Sequence, residues 1–106
     1  MIILGIDPGY AILGYGVIST EGIRSKAIDY GVIETVAHTP FPQRLERLDT
    51  CMNELIKLYK PDHVAFEELF FARNTKTALQ VAAARGVALL SAQQAGLPLY
   101  EYTPMQ

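Results

Sequence analysis

MIILGIDPGY, residues 1–10, places one carboxylate, Asp7, directly after an apolar run and follows it with proline and glycine. The branched side chains of the run and its sharp polar limit predict a strand buried on both faces. Pro8 has no backbone donor and is expected to end the ladder there. The strand therefore delivers one acid to a turn. Asp7 then reads in two ways: as an acceptor for backbone donors of an Asp-Pro-Gly turn, or as a ligand at the edge of a sheet.

The segments that follow supply the rest of that sheet. Leu13–Ile18, with Gly14 and Gly16, predicts a second strand with close backbone approach, and Thr20, Glu21 and Gly22 predict a hairpin turn. Residues 23–34 show a broken alternation through Ala27, Ile28, Tyr30 and Val32, which suits an antiparallel strand with one wet side. Leu45, Leu48, Cys51 or Met52, Leu55, Ile56 and Tyr59 then recur at helical spacing until Pro61 stops the helix. HVAFEELF, residues 63–70, reads as a short strand with its acids at the far end. Asn74 is a candidate N-cap for a helix over 75–95, Gly96 its candidate C-cap, and LPLYEY, residues 97–102, a last strand. Three strands, then helix, strand, helix, strand predict an α/β fold in which crossover units build a parallel portion and the opening meander adds antiparallel neighbours.

Length and composition narrow the possibilities. A chain of 106 residues, half of them apolar, makes one domain with a real core, and 19% charged residues is low for a small domain. A single cysteine, Cys51, excludes an internal disulfide and a thiolate metal cluster, and points to a reducing compartment. With no apolar stretch near the roughly 18 residues of a membrane span and no basic leader, cytoplasm and no membrane contact are the expectation. The formal net charge is -2, yet between Leu69 and Tyr100 stand three bases, Arg73, Lys76 and Arg85, and no acid. Such a strip suits a polyanion or an ordinary solvated surface.

In a mostly parallel sheet, the carboxyl ends of strands line the crevice where ligands sit. Asp7 ends the first strand and Glu67 the fourth, so adjacency of those strands would bring two carboxylates together. Like charges in contact disfavour ionisation unless a cation or hydrogen bonds intervene, and magnesium, which takes oxygen ligands and keeps waters, is the usual solution. Two such ions could serve the attacking and leaving oxygens of in-line phosphodiester cleavage. Alternation sends Glu67 and Glu68 to opposite sides and leaves open which one faces the crevice. His38 and His63 have no ligand-spaced companions. In the loop FFARNTK, residues 70–76, an accessible phenylalanine could stack on unpaired bases while Arg73, Asn74 and Lys76 meet phosphates; packing into the core is the rival for either ring. The second helix has apolar residues on more than one face, fit for a core, a second subunit or further residues of the same domain.

These segments closely resemble the RuvC family of Holliday-junction resolvases, through GIDPG and GYGVI in 5–18, PDHVAFEELFFARN in 61–74, ALQVAAARGVALLSA in 78–92 and LPLYEYTP in 97–104. The first block is shared with other ribonuclease H-like proteins and with ATP-binding actin and sugar-kinase relatives; the second is distinctive. The resemblance implies a ribonuclease H-like mixed five-stranded sheet with flanking helices, and a homodimeric endodeoxyribonuclease that makes paired, magnesium-dependent nicks in four-way junction DNA during recombination and repair. It also implies a branch-migration helicase as a partner. Residue by residue, it implies that Asp7 and Glu67 are catalytic, magnesium-binding acids. Phe70 with Arg73, Asn74 and Lys76 then face DNA, and the helix of Ala82, Gly86 and Leu89 forms the dimer interface.

The family has two further active-site groups on a C-terminal helical portion. Past Glu68 this sequence contains only one carboxylate side chain, Glu101, which does not match them. Residues 1–106 are therefore expected to form a truncated ribonuclease H-like resolvase domain, its C-terminal helical portion missing, inactive or severely impaired by itself, with a sheet face uncovered. Two other function classes are weighed: a non-catalytic nucleic-acid binding or assembly module, and a fragment of an ATP-binding enzyme, which lacks the second phosphate loop that class requires.

Overall fold

The computed structural model describes residues 1–8, 12–35, 38–67 and 75–102. Along the chain run β1 (Ile2–Pro8), β2 (Ile12–Glu21), β3 (Arg24–Glu34), α1 (Phe41–Tyr59), β4 (His63–Glu67), α2 (Thr75–Gln94) and β5 (Leu99–Tyr102). The strands form one sheet in the order β3-β2-β1-β4-β5. β2 is antiparallel to both neighbours, whereas β1, β4 and β5 run parallel. The α/β sheet with a parallel crossover portion and antiparallel neighbours, expected from the element order, is observed, and it has the five mixed strands that the resemblance implies.

Local chemistry sets most of the limits. Gly22, at φ 61, turns β2 into β3, and Gly96, at φ 74, follows α2; both conformations are open to glycine without a Cβ clash. Pro42 lies in the first turn of α1, where a missing N–H costs nothing. Lys60 ends that helix in the left-handed region at φ 47 and donates its N–H to the Ile56 carbonyl at 2.9 Å. One expectation is corrected by a single residue. β1 continues through Asp7 to Pro8, because β2 keeps pairing with it as far as Pro8 with Leu13, and the strand has its last residue at the proline, as expected. β4 covers His63–Glu67, and residues 68–70 of the expected segment lie outside the described residues.

The broken alternation of β3 also has a physical cause. The register with β2 shifts between Val17, opposite Asp29, and Ile18, opposite Ala27, so Ile28 is an extra residue in a bulge. Across the sheet, the Tyr59 hydroxyl donates to Asp29 Oδ2 and ties the end of α1 to the strand beside that bulge.

Both helices cover the same face. Leu4, Ile6, Val64 and Phe66 from the central strands meet Leu48 and Met52 of α1 and the Ala84, Ala88 and Ala92 stripe of α2 in one core. The alanines recur every four residues and let α2 lie close to the sheet. Full burial of Phe66 or Met52 removes apolar area worth about 1.5–3 kcal/mol each. Between the helices, the buried Ser91 hydroxyl donates to Asp49 Oδ1 at 2.7 Å.

The opposite face corrects the expectation of a strand buried on both sides. Ile3 and Gly5 of β1 are only half-buried, and their neighbours Ile18, Tyr30, Val32 and Tyr100 are exposed. No described helix covers that face, consistent with the uncovered sheet expected from the sequence. Among the described residues, no helix is long and apolar enough to cross a membrane.

Candidate functional site

A clamp at the far end of the sheet decides what meets at the site. The Ile2 N–H donates to Asp62 Oδ2 at 2.7 Å, and the Asp62 N–H returns to the Ile2 carbonyl, also at 2.7 Å. This reciprocal pair joins the starts of β1 and β4. From it the parallel register runs Ile3 with His63, Leu4 with Val64, Gly5 with Ala65 and Ile6 with Phe66. One step further, positions 7 and 67 stand level at the carboxyl edge, on strands that run about 4.8 Å apart. Two acids 60 residues apart in sequence thus share one end of adjacent strands, and β4 ends at Glu67, with Glu68 outside the described residues.

Asp7 is exposed, on the face opposite the helices. Its cross-strand neighbour is Gly14, where a Cβ would stand 3.8 Å from the Asp7 Cβ. The glycine leaves the carboxylate open to approach from the side. A shallow groove of about 350 Å³, floored by Gly5, Gly14 and Gly16 and walled by Ile18 and Tyr30, reaches Asp7 along the uncovered face.

The donor chemistry at this edge is carboxylate oxygen, which suits a hard, partly hydrated divalent cation. His63 lies at the opposite end of β4, its ring 4.9 Å from that of Tyr100, and is no part of the edge. Among the described residues, no group of three or more His, Cys, Asp or Glu side chains converges as a metal cage. The residues fit a cation held by two acids and completed by other oxygens.

Of the other expected site residues, Phe70, Arg73 and Asn74 lie outside the described residues, and Lys76 occupies the second position of α2. Arg85 is a correction to the basic strip. Its Nη2 contacts Glu101 Oε1 at 2.5 Å, and its guanidinium lies 6.0 Å from the Phe66 ring centroid. That charge is paired at the edge of the helix-covered face, where the Glu101 side chain is 46% exposed. On α2, Leu79 and Leu90 are 67% and 55% exposed, and with the exposed Ala82 and Gly86 they make an apolar stripe with a recess in its middle. Leu89 packs against the core at the rim of this stripe.

Two long-range contacts leave no signal in the sequence. Asp62 looked like a polar residue leading into a strand, and Glu101 like a stray acid; both act through partners far away in sequence, for which no local pattern exists.

Comparison with known proteins gives a consistent result. The family model described as "Crossover junction endodeoxyribonuclease RuvC" matches residues 3–106. Curated proteins of that description from Desulfitobacterium hafniense and Clostridioides difficile are 58% and 52% identical over all 106 residues. The chain spans 64% and 63% of their lengths. A solved structure of Thermus thermophilus RuvC in complex with Holliday junction substrate superposes with a TM-score of 0.90 at 36% identity, over 99% of this chain and 67% of that one. The yeast mitochondrial Holliday junction resolvase, at 15% identity and a TM-score of 0.68 over 96% of this chain and 52% of that one, shares the fold.

Proposed function

Since this chain belongs to the RuvC family of crossover junction endodeoxyribonucleases, we propose that its 106 residues are the N-terminal, carboxylate-bearing portion of a Holliday-junction resolvase. The observation that carries this reading is the level placement of positions 7 and 67 at one sheet edge, set by the register of β1 on β4. Asp7 and Glu67 act as the two acids of this portion that hold magnesium. When bound, the cation supplies positive charge against the oxygens of a phosphodiester. Asp7 presents its carboxylate to solvent, and Gly14 beside it keeps side-chain bulk away from an approaching phosphate. The helix-covered core beneath holds both strand ends in place.

Phe70, Arg73, Asn74 and Lys76 follow Glu67 in sequence, and in this reading they meet junction DNA, an aromatic for unstacked bases and polar groups for phosphates. A homodimer formed through α2 would present two such edges to the two strands of a four-way junction. The stripe of Leu79, Ala82, Gly86 and Leu90, rimmed by Leu89, suits a twofold contact in which one surface meets itself. Association with a branch-migration helicase and a cytoplasmic setting belong to the same reading. Two acids cannot fix two cations in a cleaving geometry, so these 106 residues by themselves are expected to cleave junctions poorly or not at all.

Junction cleavage in magnesium tests this. A chain extended to the length of its relatives should nick four-way junctions in pairs and stop when magnesium is chelated, and Asp7→Asn in that chain should abolish nicking while leaving the fold intact. Unchanged cleavage after Asp7→Asn would refute the role of Asp7. Junction binding without metal-dependent cleavage by the extended chain would turn the assignment to a non-catalytic binding module.

A further inference from the structure

β3 stands at the end of the sheet order, with β2 beside it and no described strand on its other side. In an antiparallel pair every second residue turns both its N–H and its C=O away from the partner, so an end strand offers a row of backbone groups to any other strand. Past the bulge at Ile28, two of these outward groups are identified by what they bond. The Tyr30 N–H donates to Asp29 Oδ1 at 2.8 Å, and the Glu34 carbonyl accepts from Arg47 Nε at 3.2 Å. Residues 30 and 34 therefore belong to the outward set, and the period of two adds Val32 between them.

The stretch is otherwise well suited to pairing. Tyr30 and Val32 are 82% and 55% exposed, and YGVI, residues 30–33, carries aromatic and branched side chains with no charge. Such a segment on an open edge is a template for another strand. Both caps are tied to α1. The second oxygen of Asp29 accepts the Tyr59 hydroxyl, so this carboxylate cannot leave the edge without giving up a bond to the end of the helix. Arg47 lies on the second turn of α1, three residues after Arg44, whose Nε donates to the Thr35 hydroxyl at 3.0 Å. The helix thus reaches the strand on both sides of Val32. On the far side of the bulge, exposed Arg24 and Lys26 place two charges along the same edge.

We propose that Asp29 and Arg47 close the β3 edge to strand addition: they occupy its outward backbone groups on both sides of Val32, so that only Val32 could make both bonds of a ladder pair. The bulge at Ile28 keeps that pairing from spreading toward the hairpin. Self-association is then left to other surfaces, such as the stripe on α2.

The test compares four forms of the 106-residue chain: wild type, Arg47→Ala, Asp29→Ala with Arg47→Ala, and that pair with Val32→Lys added. Amide exchange at residues 30–34 and sedimentation are followed over about a hundredfold range of protein concentration. In wild type the Val32 amide should exchange at one rate throughout. In the doubly uncapped chain it should slow about tenfold or more at the highest concentration as a dimer grows, and Val32→Lys should abolish both effects. A dimer made through α2 leaves these amides unchanged and is told apart in that way. If the doubly uncapped chain fails to fold, Arg47→Ala, a substitution at an exposed side chain, carries the decision with a slowing of about threefold or more. Exchange at Val32 that stays independent of concentration in the uncapped chain that folds overturns the proposal. Protection of Val32 that rises with concentration in wild type overturns it equally, because the edge would then be open with both caps in place.

Discussion

Gly31→Ala is expected to destabilise the chain through one identifiable collision. Gly31 is the register partner of Tyr15, and the tyrosine ring lies across it. A Cβ there would stand 2.7 Å from the Tyr15 hydroxyl, 2.9 Å from Cζ and 3.1 Å from Cε1. The backbone at Gly31 does not have a positive φ, so the cost is purely that of crowding. The ring has somewhere to go: a groove of about 240 Å³ between β3 and α1, bordered by Tyr15, Cys51 and Leu55. Overpacking with such an outlet costs about 1–3 kcal/mol, and the lost flexibility of the unfolded glycine returns about 0.4–1 kcal/mol. The net is a loss of about 1–2 kcal/mol. With unfolding entropy of about 2.1 cal/mol/K per residue, a chain of this length should lose about 5–9 °C in Tm.

Urea and thermal unfolding of four variants isolate the cause. Gly16→Ala, where no atom lies within 4 Å of the new Cβ, should be neutral or slightly stabilising. Tyr15→Ala will be costly by itself, but Gly31→Ala added to it should cost nothing further, which makes the coupling about as large as the single-variant loss. A Gly31→Ala chain as stable as wild type would refute the reasoning. A loss that persists undiminished without the Tyr15 ring would refute it equally.

Two further outcomes follow from hydrogen bonds that join distant elements. The Asp29 carboxylate, accepting the Tyr59 hydroxyl, raises the phenol pKa above its usual 10.0, with burial and the charges of Asp29 and Tyr15 adding to the rise. Tyr59→Phe should therefore be less stable than wild type at neutral pH; the difference should persist up to the ordinary tyrosine range and vanish as pH climbs through the raised value, as followed by urea unfolding across alkaline pH. Asp62→Ala removes the acceptor of the Ile2 N–H in an exposed setting, and should cost about 1 kcal/mol, or about 4–5 °C. Amide exchange at residues 2 and 3 should rise with it, and an unchanged Tm with unchanged exchange would show that the clamp does not hold the β1 and β4 starts.

The limits of the elements were legible because their signals are local. Pro61 and Gly96 stop helices, Gly22 turns a hairpin, and apolar spacing marks α1, each through chemistry confined to a few neighbouring residues. Pro8 marks the end of β1 for the same reason, and only the pairing of β2 alongside, which the local signal does not contain, carries the strand one residue past the acid. Likewise nothing local shows that Arg85, one of the three bases of the expected strip, pairs with an acid 16 residues away.

By itself, then, the sequence determined the element order, the α/β class and Asp7 near a strand end, and its family motifs put forward Glu67, in another segment, as the proposed partner. Only the tertiary structure decided that positions 7 and 67 stand level, because register is set by long-range contacts such as the Asp62 clamp to Ile2 at the start of the strands. It also decided which sheet face is covered. Two helices that cross over in the same direction must pack on the same side, and the period of two in each strand records an alternation without saying which side the helices take.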